Sequence, residues 1–215
     1  MSLSELDLEE AQFRANLYKV FASFFLAPPQ PEWLSALASS PLIDFQVDNT
    51  WDLDQLKLEF HALFLVPADR YLFPYESCYR GLQDGHPGRL LGKPSREVRE
   101  YYQRAHLKVR SEAAELPDHA GLEFSFLHLL ADREGAAIEK GTEDQASHWH
   151  SLEAAFFDRH PARWIPDLCA EIEATTEHSY FMGFSNWINR AVEEIGSGFT
   201  ISAADQAITD GRCAL

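Results

Sequence analysis

The chain has 215 residues, of which 46% are hydrophobic and 13% aromatic, enough to build a substantial core. This composition excludes an intrinsically disordered chain. The formal net charge of −16 at pH 7 disfavours nucleic acid and anionic membranes as partners and favours a basic one, although an acidic surface also serves solubility alone.

The N-terminal region is predicted to form an amphipathic helix. Its apolar residues recur at steps of three and four and are Phe13, Leu17, Val20, Phe21 and Phe24. The sequence Pro28-Pro29 ends this helix. The longest apolar run, from Val20 to Ala27, is too short to span a bilayer. We therefore expect a cytoplasmic protein that does not insert stably into a membrane.

A second helix and a proline- and glycine-rich stretch follow. The helix places Leu53, Leu56, Phe60, Leu63 and Phe64 on one face and ends near Pro67. Prolines and glycines then punctuate residues 67–94 every few positions. This stretch is predicted to be an ordered hinge loop without a regular element.

The remaining chain again has helical periodicity. Further helices are predicted to start at Ser95, at Pro117, at Thr142, after Pro161 and near Glu177. Gly141 and Gly196 are expected to end two of them. The pattern predicts an all-α fold, a single bundle of about eight to ten helices over residues 1–196, with a loosely ordered tail over 197–215.

Motifs of catalysis are missing from the sequence. None of the nine histidines follows a glutamate by three positions, which excludes the usual di-iron bundle motif. His119 and Glu123 can share a helix face, but two ligands make a weak metal site. The stretch from Gly88 to Pro94 has the wrong spacing for a phosphate loop. Three distant cysteines without a Cys-x-x-Cys motif fit a reducing compartment. We predict a protein that is not an enzyme and has no cofactor or metal of its own.

Two segments resemble the TorD/DmsD/NarJ family of redox-enzyme maturation chaperones. Residues 59–67 read Glu-Phe-His-Ala-Leu-Phe-Leu-Val-Pro, and residues 73–79 follow with Phe-Pro-Tyr-Glu-Ser-Cys-Tyr. Residues 115–124 read Glu-Leu-Pro-Asp-His-Ala-Gly-Leu-Glu-Phe, which is similar to the family's Pro-Asp-His helix start. Residues 124–128 depart from the family pattern and leave the subfamily open between TorD, DmsD and NarJ types.

The resemblance implies a chaperone for an immature molybdopterin-containing oxidoreductase of the DMSO or TMAO reductase type. Such a protein binds the client's twin-arginine signal peptide and delays export until the cofactor is inserted. Its partners are the signal peptide and apo form of the client, with molybdenum-cofactor biosynthesis proteins as further candidates. The implied peptide-binding residues are Phe60, Leu63, Phe64, Pro74, Tyr75, Glu76, Ser77, Glu115, Pro117, Asp118, His119 and Glu123.

Structural roles explain several of these residues equally well. Asp118 can cap a helix, and an aromatic stripe at helical spacing usually faces the core. Glu76 and Ser77 can either fix the loop or contact peptide.

Three other functions remain open at this stage. They are a NarJ-like assembly chaperone of a nitrate reductase, a nucleotide-binding protein, and a regulatory helical protein that binds its partner equally well after maturation. The chain is expected to be a monomer or a domain-swapped dimer.

Overall fold

The computed structural model describes residues 3–43, 45–48, 50–83, 90–107 and 116–198. In order, its helices are α1 (Leu3–Leu26), α2 (Pro31–Ala38), α3 (Leu53–Phe64), α4 (Glu76–Gln83), α5 (Lys93–Arg104), α6 (Ala120–Glu139), α7 (Glu143–Arg159), a short 3-10 helix (Pro161–Arg163), α8 (Ile165–Thr175) and α9 (Ser179–Gly198). Within these residues the extended structure consists of one isolated bridge between Tyr75 and His119. The prediction of an all-α bundle is confirmed.

Helix α6 lies at the centre of the bundle and packs against both α1 and α7. Its side chains Phe124, Leu127 and Leu130 are completely buried. Aromatic rings fill the space around it. Phe21 of α1 packs edge-on against Phe124, and Phe25 of α1 stacks on the same ring. A helix that is apolar on most sides is expected in such a position.

The N-terminal helix follows its predicted pattern at most positions but not at Phe13. Leu17, Phe21 and Phe24 are buried, whereas Phe13 is 52% exposed. The prediction that Phe13 faces the core is therefore wrong. Its side chain lines an open cleft between α1 and α9.

Helix α4 lies inside the stretch that was predicted to lack regular structure. Residues 76–83 are helical although prolines and glycines surround them. Because the Asp118 side chain accepts a hydrogen bond from the Ser77 amide, a distant residue satisfies the first turn of this helix. The prediction failed because this partner lies 41 residues away in sequence.

Two predicted helix starts also shift. α5 begins at Lys93, ahead of Ser95, because Pro94 fits a first turn where no amide donor is needed. α6 begins at Ala120 with His119 as its N-cap, three residues beyond Pro117. The predicted loose tail falls almost entirely on residues 199–215, outside the described part of the chain. Among the described residues, no helix combines the length and apolar character that crossing a membrane requires.

Candidate functional site

The two segments that carry the family resemblance meet in space. The Glu76 amide donates to the carbonyl of Asp118 at 2.9 Å, and the Ser77 amide donates to its carboxylate at 3.0 Å. The backbones of Tyr75 and His119 form an antiparallel bridge. We call this junction of residues 74–77 with residues 117–120 the clasp. It ties the start of α4 to the start of α6.

The clasp also caps α6. The His119 Nδ1 atom accepts a hydrogen bond from the Gly121 amide at 3.1 Å, and the carbonyl of Pro74 accepts one from the Ala120 amide at 2.9 Å. Both contacts satisfy amides that the first turn of a helix leaves without partners. The Tyr75 ring packs edge-on against the His119 ring, with centroids 5.2 Å apart.

A buried polar cluster lies directly beside the clasp. Glu76 Oε2 is 2.8 Å from Nδ1 of His160, and both side chains are completely buried. Arg80 donates to Glu76 Oε1 at 2.7 Å. The indole of Trp164 donates to Glu123 Oε2 at 2.9 Å. We call these five residues the Glu76 cluster. It joins α4, α6 and the segment that follows α7.

Burial favours the neutral form of Glu123 within this cluster. Burial raises the pKa of Glu123 well above its usual range, and the nearby carboxylate of Glu76 adds to the effect. Glu123 Oε1 faces no donor, so a hydrogen bond with Glu76 requires a proton on one of the two carboxyl groups. A neutral Glu123 supplies that proton to the Glu76 carboxyl group, which also contacts Arg80 and His160.

The Glu76 cluster has the residue types of a metal site. Ligand atoms of Glu76, Glu123 and His160 lie within 4.8 Å of one another. Both oxygens of Glu76, however, are already engaged, one by the Arg80 guanidinium and the other by Nδ1 of His160. The guanidinium therefore supplies the positive charge that a bound cation would otherwise provide.

A second cluster connects α1, α6 and α7. Arg14 pairs with Glu134 at 2.5 Å and with Glu153 at 2.8 Å, and Tyr18 donates to Glu153 at 3.0 Å. Nδ1 of His150 lies 3.1 Å from Glu134. We call these five residues the Arg14 cluster. Sequence reasoning missed it, because Arg14 and Tyr18 contact acids more than a hundred residues away on helices with no shared motif.

Burial sets the protonation of the acids in the Arg14 cluster. It raises the pKa of Glu153 to about 7, against the opposing charge and hydrogen bonds of Arg14. Burial opposes ionisation of Glu134 as well, but the hydrogen bond with His150 and the charge of Arg14 outweigh it and lower the pKa. The hydrogen bond with Glu134 raises the pKa of His150.

Almost all of the predicted peptide-binding residues are buried. Phe60, Leu63 and Phe64 belong to the hydrophobic core. Buried polar or proline positions are Pro74, Glu76, Ser77, Pro117, Asp118, His119 and Glu123. Tyr75 is half-buried, and Glu115 lies outside the described residues. The structure thus brings residues 74–77 and 117–120 together, but most of their side chains lie beneath the surface.

Exposed apolar side chains do lie on the loop that leads into the clasp. Leu65 is 51% exposed, Val66 is 52% exposed and Phe73 is 46% exposed. Phe73 also packs edge-on against Tyr71, with ring centroids 4.8 Å apart. Exposed apolar groups grouped in this way are typical of interaction surfaces.

Comparison with known proteins places the chain among reductase-associated proteins. A family model described as nitrate reductase delta subunit matches residues 14–170. The perchlorate reductase assembly chaperone protein of Dechloromonas aromatica is 25% identical over 63% of this chain and 59% of its own length. The selenate reductase assembly chaperone protein of Thauera selenatis is 26% identical over 78% of this chain and 81% of its own length. The chaperone protein TorD of Vibrio atlanticus is 29% identical over 59% of each chain.

The chain thus spans about three fifths of the length of two of these relatives. No solved structure matches it.

Proposed function

Because the chain belongs to the nitrate reductase delta subunit family, we propose that it is an assembly chaperone for a molybdenum-containing oxidoreductase. In this role it binds the immature client through a twin-arginine signal peptide and releases it once the cofactor is in place. It performs no catalysis of its own. The observation that carries the proposal is that relatives with three different reductase clients all bear the name of assembly chaperone.

The chemistry of the chain suits such a peptide. Two adjacent guanidinium groups are attracted by an acidic protein, and the net charge of −16 supplies that attraction. The apolar part of a signal peptide needs an apolar surface, and Leu65, Val66 and Phe73 offer one beside the clasp. Ordering a flexible peptide offsets part of the contact energy, which suits releasable binding.

The clasp residues remain our candidates for contact with the signal peptide. Since Asp118 and Glu76 are completely buried, such contact requires the clasp to open. We infer that the loop of residues 65–73 moves when the clasp opens, because it leads directly into the clasp and carries exposed apolar side chains. Peptide binding and clasp opening would then be coupled in one equilibrium.

Calorimetric titration with the twin-arginine signal peptides of the source organism's own molybdoenzymes tests the proposal. We expect one peptide to bind with a Kd of about 1 μM or below, and to bind more weakly at high salt. Asp118→Ala should weaken binding. Asp118→Asn is the matched control, because it removes the charge of the side chain but keeps an oxygen acceptor for the Ser77 amide. Absence of binding to every such peptide would refute the signal-peptide role.

A NarJ-like role is the second candidate function, and the description of the matching family favours it. The client would then be a nitrate reductase whose N-terminal segment is not exported and lacks the paired arginines. Binding of that segment, together with no binding of twin-arginine peptides, would select this alternative.

A further inference from the structure

A cleft of about 710 Å³ is lined by residues of α1 and α9. Its apolar wall consists of Phe13, Leu17, Leu42, Trp187, Ala191 and Ile195. Phe13 is 52% exposed there, although a large aromatic side chain on a core helix is normally covered. The cleft therefore leaves apolar surface open to solvent while the clasp is closed.

Carboxylates surround this apolar wall. Glu9, Glu10 and Glu194 line the α1–α9 cleft and are exposed. Glu10 also lines an adjoining cleft of about 570 Å³, together with the acidic residues Asp7, Glu134 and Glu143. We call this second space the acidic cleft. It begins where the α1–α9 cleft ends, because Glu10 belongs to both.

Positive charge in the two clefts is largely neutralised. Arg14 lines both of them, but it pairs with Glu134 and with Glu153 in the Arg14 cluster. His150, the other basic side chain on the described walls, lies against Glu134. The joined space is thus apolar on one side and negative on the other.

We propose that this joined space is a docking site for an amphipathic helix with arginine or lysine along one edge. The apolar face of that helix would fill the α1–α9 cleft, in the manner of helix-in-groove recognition. Its basic edge would face Glu9, Glu10 and Asp7. The inference rests on the proposed function in taking the helix from the N-terminal region of the client. It adds a second contact surface to the clasp, and the client's helix reaches this surface without opening of the clasp.

Electrostatic complementarity favours a basic helix over two other possible occupants of the cleft, the segment 199–215 and a second copy of the chain. The segment 199–215 follows α9 directly, but it contains Asp205 and Asp210 against Arg212 alone. A second copy of the chain would bring another 16 negative charges to an already acidic surface. Both would be repelled by the carboxylates, whereas a basic helix is attracted.

Fluorescence anisotropy with a labelled twin-arginine signal peptide tests the site on the full chain. Phe13→Ser and Glu10→Lys should each raise the Kd by about tenfold, because they remove an apolar anchor and reverse a charge at the centre of the site. Leu58→Ser and Glu100→Lys are the matched controls, since both residues are exposed and lie on α3 and α5 away from the clefts. These controls should leave the Kd within about twofold.

The possible failures are distinguishable. If the wild-type chain binds the peptide and the Phe13 and Glu10 variants bind it equally well, the docking site is refuted and the proposed function stands. If the wild-type chain binds no twin-arginine peptide, both fail.

Two further results would assign the cleft to another occupant and overturn the inference. One is competition by a synthetic peptide of residues 199–215, with tighter binding after that segment is deleted. The other is a dimer in sedimentation that Phe13→Ser converts to a monomer.

Discussion

Nδ1 of His160 lies 2.8 Å from Oε2 of Glu76, with both side chains completely buried and 84 residues between them in sequence. This contact brings the end of α7 to the start of α4. Arg80 binds the other oxygen of the same carboxylate, so Glu76 is the centre of the polar network beside the clasp. The clasp therefore depends on one carboxyl side chain that solvent does not reach.

Replacing Glu76 by Gln should lower the free energy of unfolding by about 3 kcal/mol, because the variant leaves the partners of a buried charge uncompensated. Urea denaturation monitored by circular dichroism measures the change. Glu100→Gln on the exposed side of α5 is the control and should be neutral. A loss for Glu76→Gln no larger than that of the control would show that the network does not stabilise the fold.

The raised pKa of Glu123 predicts that the stability of the protein depends on pH. Its pKa is raised in the folded chain above the ordinary value of 4.5, mainly by burial and then by Glu76. The stability that the neutral form contributes is complete below about pH 4.5 and is lost as the pH rises through the folded-state pKa. Glu123→Gln cannot ionise and should gain stability relative to the wild type between about pH 5 and pH 8. Parallel stability curves for the two proteins across that range would contradict a neutral Glu123.

Removal of Arg14 should have a cost that grows with pH. The guanidinium stabilises the charged forms of Glu134 and Glu153, and the pKa of Glu153 is about 7 even in its presence. Arg14→Gln should cost about 4 kcal/mol at pH 8, where both acids are charged, and less at about pH 5.5, where Glu153 is neutral. Thermal unfolding at the two pH values measures this difference. The double variant Arg14→Gln, Glu153→Gln should recover part of the loss at pH 8. An equal cost of Arg14→Gln at both pH values would contradict a role of Arg14 in stabilising charged Glu153.

Helices α1 and α6 approach closely at Gly121. A Cβ atom there would lie 2.5 Å from Cγ of Leu26 and 3.2 Å from the carbonyl oxygen of Ala22. Gly121→Ala should therefore cost about 1 to 3 kcal/mol, even though alanine is the better helix former. In a Leu26→Ala background the same substitution should cost about 1 kcal/mol or less, because the nearest clash is gone. Equal costs in the two backgrounds, measured by urea denaturation, would contradict the close approach.

Sequence periodicity was sufficient to predict the bundle, and short sequence segments were sufficient to recognise the family. Leu56, Phe60, Leu63 and Phe64 recur at helical spacing, and all four are buried on α3. The family resemblance rested on short contiguous segments, and the match over residues 14–170 confirms it. Local patterns of this kind survive in sequence because a helix buries one face regardless of its neighbours.

The arrangement of the polar residues could not be predicted in the same way. Asp118, Glu76 and Glu123 were expected among the residues that contact peptide, whereas all three side chains are completely buried. His160 and Trp164, the partners of Glu76 and Glu123, lie 84 and 41 residues away from them in sequence, and no local pattern connects these positions. Phe13 was likewise assigned to the core by its spacing, whereas packing between α1 and α9 leaves it in an open cleft.

The central claim, that the chain is an assembly chaperone, is tested most directly by comparing its affinity for the apo and the cofactor-loaded forms of one client reductase. The reductase encoded beside this gene is the first choice, and calorimetry or sedimentation provides the readout. We predict measurable binding to the apo form and about a tenfold or greater loss of affinity once the cofactor is inserted, as a releasable chaperone requires. Equal affinity for the two forms would contradict the claim and would indicate a regulatory partner that stays bound after maturation.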